Sequence, residues 1–132
     1  PAQPKALLRT TGDLRPFTNV AFMNNIMDLT IDTGSGNPGA VGLIYIANNQ
    51  GSVRNVLVRS GDGDGVAGID LSLYSIPGPA LLKDVEVQGF DYGVRASSDG
   101  NYHMTAEHLR LAGQAVAGFH NTRLNWSLRG IL

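Results

Sequence analysis

Val53-Arg54-Asn55-Val56-Leu57-Val58 sets apolar side chains three residues apart and then two. The same spacing occurs in Ile26-x-x-Leu29-x-Ile31, Leu82-x-x-Val85-x-Val87 and Ala106-x-x-Leu109-x-Leu111. Each copy is followed by a glycine and an apolar residue: Gly42-Leu43, Gly68-Ile69, Gly93-Val94 and Gly118-Phe119. These glycines lie 26, 25 and 25 residues apart. A fixed period of roughly 20–50 residues marks a solenoid, in which each repeat buries its apolar face only against its neighbours.

Within a repeat the residues read as two short strands. Leu29-Thr30-Ile31, Val56-Leu57-Val58, Val85-Glu86-Val87 and Leu109-Arg110-Leu111 alternate with period two, as half-buried strands do. Between them stand turn formers such as Asp32 to Gly39, Ser60 to Gly65 and Ser97 to Asn101. The one stretch with helical length, Thr105 to Ala117, has a poor helical period. A leucine-rich repeat shares the apolar spacing but requires an Asn three positions after it. Those positions hold Gly34, Gly61, Phe90 and Gln114. The reading is therefore all-β: a right-handed parallel β-helix of about five coils, with equivalent strand positions 19 to 29 residues apart, forming one domain over residues 1–132.

Stacking the repeats in register gives inward columns Leu29, Val56, Val85, Leu109 and Ile31, Val58, Val87, Leu111, with Leu43, Ile69, Val94, Phe119 on the other sheet. Tyr45 shares the inward parity of Leu43. The same register sets Glu86 beside Arg110, Lys83 beside Glu107 and Asp84 beside His108 on adjacent coils. It was fixed by apolar residues alone, so the favourable charge pairs are an independent check on it.

Composition excludes several functions. Net charge is −1 and the ten basic residues are scattered, which leaves no basic stripe for nucleic acid. No apolar run reaches the length of a membrane-spanning helix. Without cysteine there is neither a disulfide nor a thiolate metal site. Ser60-Gly61-Asp62-Gly63-Asp64-Gly65 invites a calcium reading, but the twelfth position counted from Asp62 is Leu73, not an acid. His103, His108 and His120 lack metal-ligand spacing, and no G-x-S-x-G elbow is present. No cofactor or metal is expected.

The stretch Ile26-Met27-Asp28-Leu29-Thr30-Ile31-Asp32-Thr33-Gly34, with Gly42-Leu43, Val53-Arg54-Asn55-Val56 and Gly89-Phe90-Asp91-Tyr92-Gly93, resembles the pectate-lyase-like superfamily. Within it, the β-1,3-glucanase-like branch is most similar. The match runs from about Phe22 to Phe119 and falls mostly on turn and core positions. The resemblance implies an extracellular, polysaccharide-directed protein, similar to part of a secreted glycoside hydrolase or lyase. It supplies no matched calcium cluster.

In the stacked register the outward column of the glycine-led sheet is Ile44, Asp70, Arg95, His120. An acid, a guanidinium and an imidazole on successive coils make these three the catalytic candidates: Asp70 as acid or base, Arg95 as holder, His120 as proton shuttle. The plainer alternative is a solvated charge ladder bridged by Arg95. Asp91 and Tyr102 are the nearby candidates for contacting substrate, although Asp91 also suits a turn. Glu86 and Glu107 already have basic partners, so of the two carboxylates that glycoside hydrolysis normally needs, Asp70 and Asp91 remain as candidates. Tyr74 and Tyr102 lie in loop segments where they could stack on sugar rings.

A short solenoid has two open ends. The start, Pro1 to Pro4, could blunt one, while Trp126-Ser127-Leu128-Arg129-Gly130-Ile131-Leu132 reads as the beginning of a further coil. Either the native chain continues or another subunit covers that end. A homo-oligomer through open coil ends, serving a non-catalytic structural or assembly role, is the alternative reading of function.

Overall fold

A computed structural model describes residues 4–10, 20–73, 76–97, 100 and 102–132. Ten strands follow in order: β1 Lys5–Arg9, β2 Asn25–Asp32, β3 Ala40–Ile44, β4 Ser52–Arg59, β5 Ala67–Asp70, β6 Ala80–Gln88, β7 Tyr92–Ala96, β8 His103–Ala112, β9 Ala117–Asn121 and β10 Asn125–Ile131. The described residues contain no helix, and Thr105 to Ala112 belong to β8. Odd-numbered strands form one five-stranded sheet and even-numbered strands another, each in chain order. All neighbours within a sheet are parallel. The chain is thus a parallel β-solenoid, of about four turns where the spacing predicts about five coils. Steps between equivalent even-sheet positions run from 29 residues (Val56 to Val85) down to 22 (Leu109 to Ile131), so the closing step is longer than the 19 expected.

The register is the one the apolar columns require: Leu29 pairs with Val56, Val56 with Val85, and Val85 with Leu109. The odd sheet aligns Leu43 with Ile69, Val94 and Phe119. Nearly all of these side chains join one apolar core that also holds Tyr45, Phe90, Met104 and Leu124. Burying a side chain of this size contributes about 1.5–3 kcal/mol, so these columns dominate stability. Tyr45 is fully buried and donates its hydroxyl to Asn24 O at 2.8 Å, and burial pushes its phenol pKa up.

Two local features explain the repeat. In the even sheet the residue inside each three-residue gap adopts positive φ: Asp28 (58°), Asn55 (51°), Asp84 (52°), His108 (55°) and Gly130 (62°). A left-handed residue breaks the period-two alternation, so the residue two before it and the residue just after it both point inward. Asp, Asn and Gly tolerate that conformation best. Their side chains also link coils, with Asn55 Nδ2 donating to Asp28 Oδ1 at 2.8 Å and His108 Nδ1 lying 3.0 Å from Asp84 Oδ1.

In the odd sheet the periodic glycines face the even sheet across the core. A Cβ on Gly42 would collide with Val58 Cγ1 and lie 2.6 Å from Gly68 O. On Gly68 it would collide with Val87 Cγ1, and on Gly93 it would lie 2.5 Å from Gly118 O. The glycine period is a space requirement of the narrow core.

Candidate functional site

The odd sheet does align Asp70 with Arg95 and Arg95 with His120, with Ile44 preceding them. The column does not face open solvent along its length, as the sequence reading expected. Ile44 is 5% exposed and Asp70 3%. The reason is a second apolar cluster on the outer side of this sheet, where Ala21, Val66 and Tyr92 pack against Val41, Ile44, Ile46 and Ala67. Thr10 fastens the same face: its Oγ1 donates to Ile46 O at 2.8 Å and accepts from Ile46 N at 2.9 Å.

Asp70 is closed off by its partners. Oδ2 accepts from Arg95 Nη2 at 2.5 Å, and Oδ1 accepts from Ser72 N at 2.8 Å and Ser72 Oγ at 2.5 Å. A buried carboxylate with both oxygens engaged is poorly placed to reach a bound polymer. Arg95 remains a quarter exposed. His120 is half-buried, with Nδ1 3.2 Å from Ser97 Oγ and its ring tilted against Tyr92 at a centroid distance of 5.3 Å. Arg95, Ser97, His120 and Tyr92 therefore form a small polar and aromatic patch at the open end of the column.

Asp91 is exposed in the turn before β7, where its backbone N–H donates to Gly65 O and its carbonyl accepts from Val116 and Ala117. Tyr102 is exposed just before β8. Tyr74 and the Pro1 to Gln3 start lie outside the described residues. The glycine-rich loop satisfies itself. Asp62 Oδ2 accepts from Gly36 N at 2.5 Å and Oδ1 from Ser60 Oγ at 2.9 Å and Asp64 N at 3.1 Å. The Gly36 N–H, with Ser60 and Asp64 behind it, holds the Asp62 carboxyl below its ordinary pKa. Among the described residues no three His, Asp or Glu side chains converge as a metal would need.

A different surface has the shape of a binding site. Two concavities of about 280 and 410 Å³ adjoin on the outer face of the even sheet and share Gln50, Gly51 and Leu81. One reaches Met23, Asn25, Ser52 and Arg54; the other reaches Pro79, His103, Thr105 and Glu107. The register explains their continuity: Asn25, Ser52, Leu81, Thr105 and Ser127 form one outward column. Beside it runs Met27, Arg54, Lys83, Glu107, Arg129. At about 4.8 Å per rung, the three steps from β2 to β8 give a trough about 14 Å long, parallel to the coil axis.

Its polar groups are braced from coil to coil. Arg54 Nε donates to Ser52 Oγ at 3.0 Å, and Ser52 Oγ donates to Asn25 Oδ1 at 2.7 Å. Lys83 Nζ stands 3.4 Å from Glu107 Oε2, and His103 Nε2 lies 3.2 Å from Ser127 Oγ. Among the described residues the terminal guanidinium nitrogens of Arg54 meet no acceptor, so they are available to a ligand. Sequence reasoning paired Lys83 with Glu107 but missed the trough. Its walls come from Gln50-Gly51 and Pro79, which carry no signal of their own.

Comparison of the chain with protein-family models, with curated proteins and with solved structures returns no match. The fold, a parallel β-solenoid, defines the class to which the chain belongs.

Proposed function

We propose that the chain is a carbohydrate-directed β-helix unit that holds an extended polysaccharide along its axis, in the trough over β2, β4, β6 and β8. The carrying observation is the continuity of that trough across four coils. A polymer with a short repeat is matched by a surface with a short repeat, and the trough presents hydroxyl, amide and guanidinium groups around the apolar side chain of Leu81, with Pro79 in its wall. Binding sites of this kind combine apolar contact with a few fixed polar groups. The resemblance to the pectate-lyase-like superfamily, and within it to the β-1,3-glucanase-like branch, supports the same reading and an extracellular setting. The Asp70–Arg95 pair is assigned to holding coils together, and the chain to binding without turnover.

The test is calorimetric titration with a soluble β-1,3-glucan and with polygalacturonate, alongside a reducing-end assay for cleavage. Binding of at least one polymer without product is expected. Arg54→Ala and Leu81→Asp should each weaken it about tenfold, near 1.4 kcal/mol, while Arg95→Ala leaves it unchanged. No binding to either polymer, or loss on Arg95→Ala alone, overturns the proposal.

A further inference from the structure

The outward column beside the trough carries its charges unevenly. It runs Met27, Arg54, Lys83, Glu107, Arg129 on successive strands of the even sheet. Elsewhere the stacking sets acids against bases: Asp32 with Arg59, Glu86 with Arg110, Lys83 with Glu107, Glu107 with Arg129 and Asp70 with Arg95. Arg54 and Lys83 break that rule, standing directly in register on β4 and β6. Like charges facing across a ladder are destabilising. Both strands are inner ones, paired on both sides, so the juxtaposition is not a feature of a sheet edge. The column holds three cations and one acid, in a chain whose net charge is −1.

The two cations are also held ready. Ser52, 5% exposed, accepts a hydrogen bond from Arg54 Nε at 3.0 Å and donates its own to Asn25 Oδ1 at 2.7 Å. This fixes the root of the guanidinium, while its terminal nitrogens stay clear of protein acceptors among the described residues. Lys83 Nζ stands 3.4 Å from Glu107 Oε2, which engages one of its three ammonium donors. A guanidinium fork and an ammonium on adjacent rungs, with no acid between them, match the oxygens of a carboxylate or a sulfate. Donors braced in advance lose little freedom when a ligand arrives.

We infer that Arg54 and Lys83 form a subsite for one oxyanion group, a carboxylate or a sulfate ester, on the polysaccharide that lies in the trough. The inference rests on the polysaccharide reading of that surface and names the chemistry it selects: a chain bearing an acid group, not a neutral one. Glu107 narrows the choice further. It lines the trough one rung beyond Lys83 and repels an anion placed there, so the column accepts a single charged group and penalises a row of them. Around the subsite Gln50, Leu81 and Thr105 offer contacts suited to uncharged sugar.

A matched set of polymers tests this: a soluble β-1,3-glucan, the same glucan with sparse sulfate groups, and the same glucan with sparse carboxymethyl groups. Each is titrated calorimetrically against the protein. At least one charged form should bind about tenfold more tightly than the neutral parent, and which of them does so separates sulfate from carboxylate. Arg54→Gln and Lys83→Gln should each remove most of that preference. Glu107→Gln should widen it, a gain that impaired folding cannot produce. Arg110→Gln removes a cation outside the trough and should leave the preference intact. Equal binding of charged and neutral forms overturns the inference while the polysaccharide reading stands. Binding of none of the three overturns both. A preference that survives Arg54→Gln, or that Arg110→Gln lowers as much, reports general attraction of a polyanion and overturns the inference as well.

Discussion

The two sheets share a repeat and a core, yet their outer faces are built on opposite terms. Outer residues of the even sheet are mostly exposed or half-exposed: Arg54 stands in water, and Lys83 with Glu107 and Glu86 with Arg110 pair loosely across coils. The middle strands of the odd sheet, β3 and β5, are buried on both faces. Residues brought from β1 and from the approach to β2 cover that side, through Thr10 and Ala21. The same type of interaction, an acid on one coil beside a base on the next, therefore sits in two dielectric settings. Exposed pairs contribute little, whereas a buried pair is costly to break once made. Polar columns on the two sheets look alike in sequence and differ in what they do: one holds the fold and the other is free for a ligand.

The largest expected effect is at the buried pair. Asp70→Ala removes three accepted hydrogen bonds and strands Arg95, whose Nε already lacks a partner among the described residues. Breaking a buried pair costs about 3–5 kcal/mol, and the partial exposure of Arg95 places this one near 3. Urea unfolding reads the loss, and Asp70→Ala combined with Arg95→Met should recover much of it. A loss below 1 kcal/mol would erase the contrast between the sheets.

Next comes the inner side of the odd sheet. Gly68→Ala drives a Cβ into Val87 Cγ1 and to 3.0 Å from Gly93 O. Val87 is packed on every side, and overpacking of this kind costs about 1–3 kcal/mol. A double variant, Gly68→Ala with Val87→Ala, should regain stability relative to Val87→Ala alone, because the added methyl enters the space vacated. Thermal unfolding of the three proteins decides it. If the second substitution brings no relief, the glycine is there for backbone reasons, not for space.

Much of this architecture was legible because the even sheet writes it plainly. The three-then-two spacing, the register, the Lys83–Glu107, Glu86–Arg110 and Asp84–His108 neighbours, and the burial of Tyr45 all follow from counting apolar positions. The cause of the three-residue gap was equally available. Asp28, Asn55, Asp84 and Gly130 are residues that accept positive φ, and only His108 departs from that set. The odd sheet is harder to read, since four- and five-residue strands offer too few alternations to show which face is wet. Ile44 hints at the cover, because an isoleucine heading an otherwise polar column asks for a lid. Nothing near Asp70 in sequence announces Thr10 or Ala21, which arrive from 60 and 49 residues upstream. The trough was illegible for a related reason: its walls are turn residues that become neighbours only after stacking.

The smallest effect expected is also the most diagnostic of the even sheet. Arg110 Nε lies 3.8 Å from Glu86 Oε1, and the arginine side chain is 68% exposed. At that distance in water the attraction is weak, and holding two long side chains together costs rotamer freedom. Arg110→Ala should therefore change stability by less than about 0.5 kcal/mol and should lose even that in high salt, where charges beyond a few ångströms are screened. The residue lies in the outward column on the far side of the left-handed turn at His108, away from the trough, so polysaccharide titration should not register the substitution either. A loss approaching that of Asp70→Ala would mean that this face is covered in solution, and that the two sheets are alike after all. A small loss of stability with a large loss of binding would instead move the polymer from the first half of the even sheet to the second.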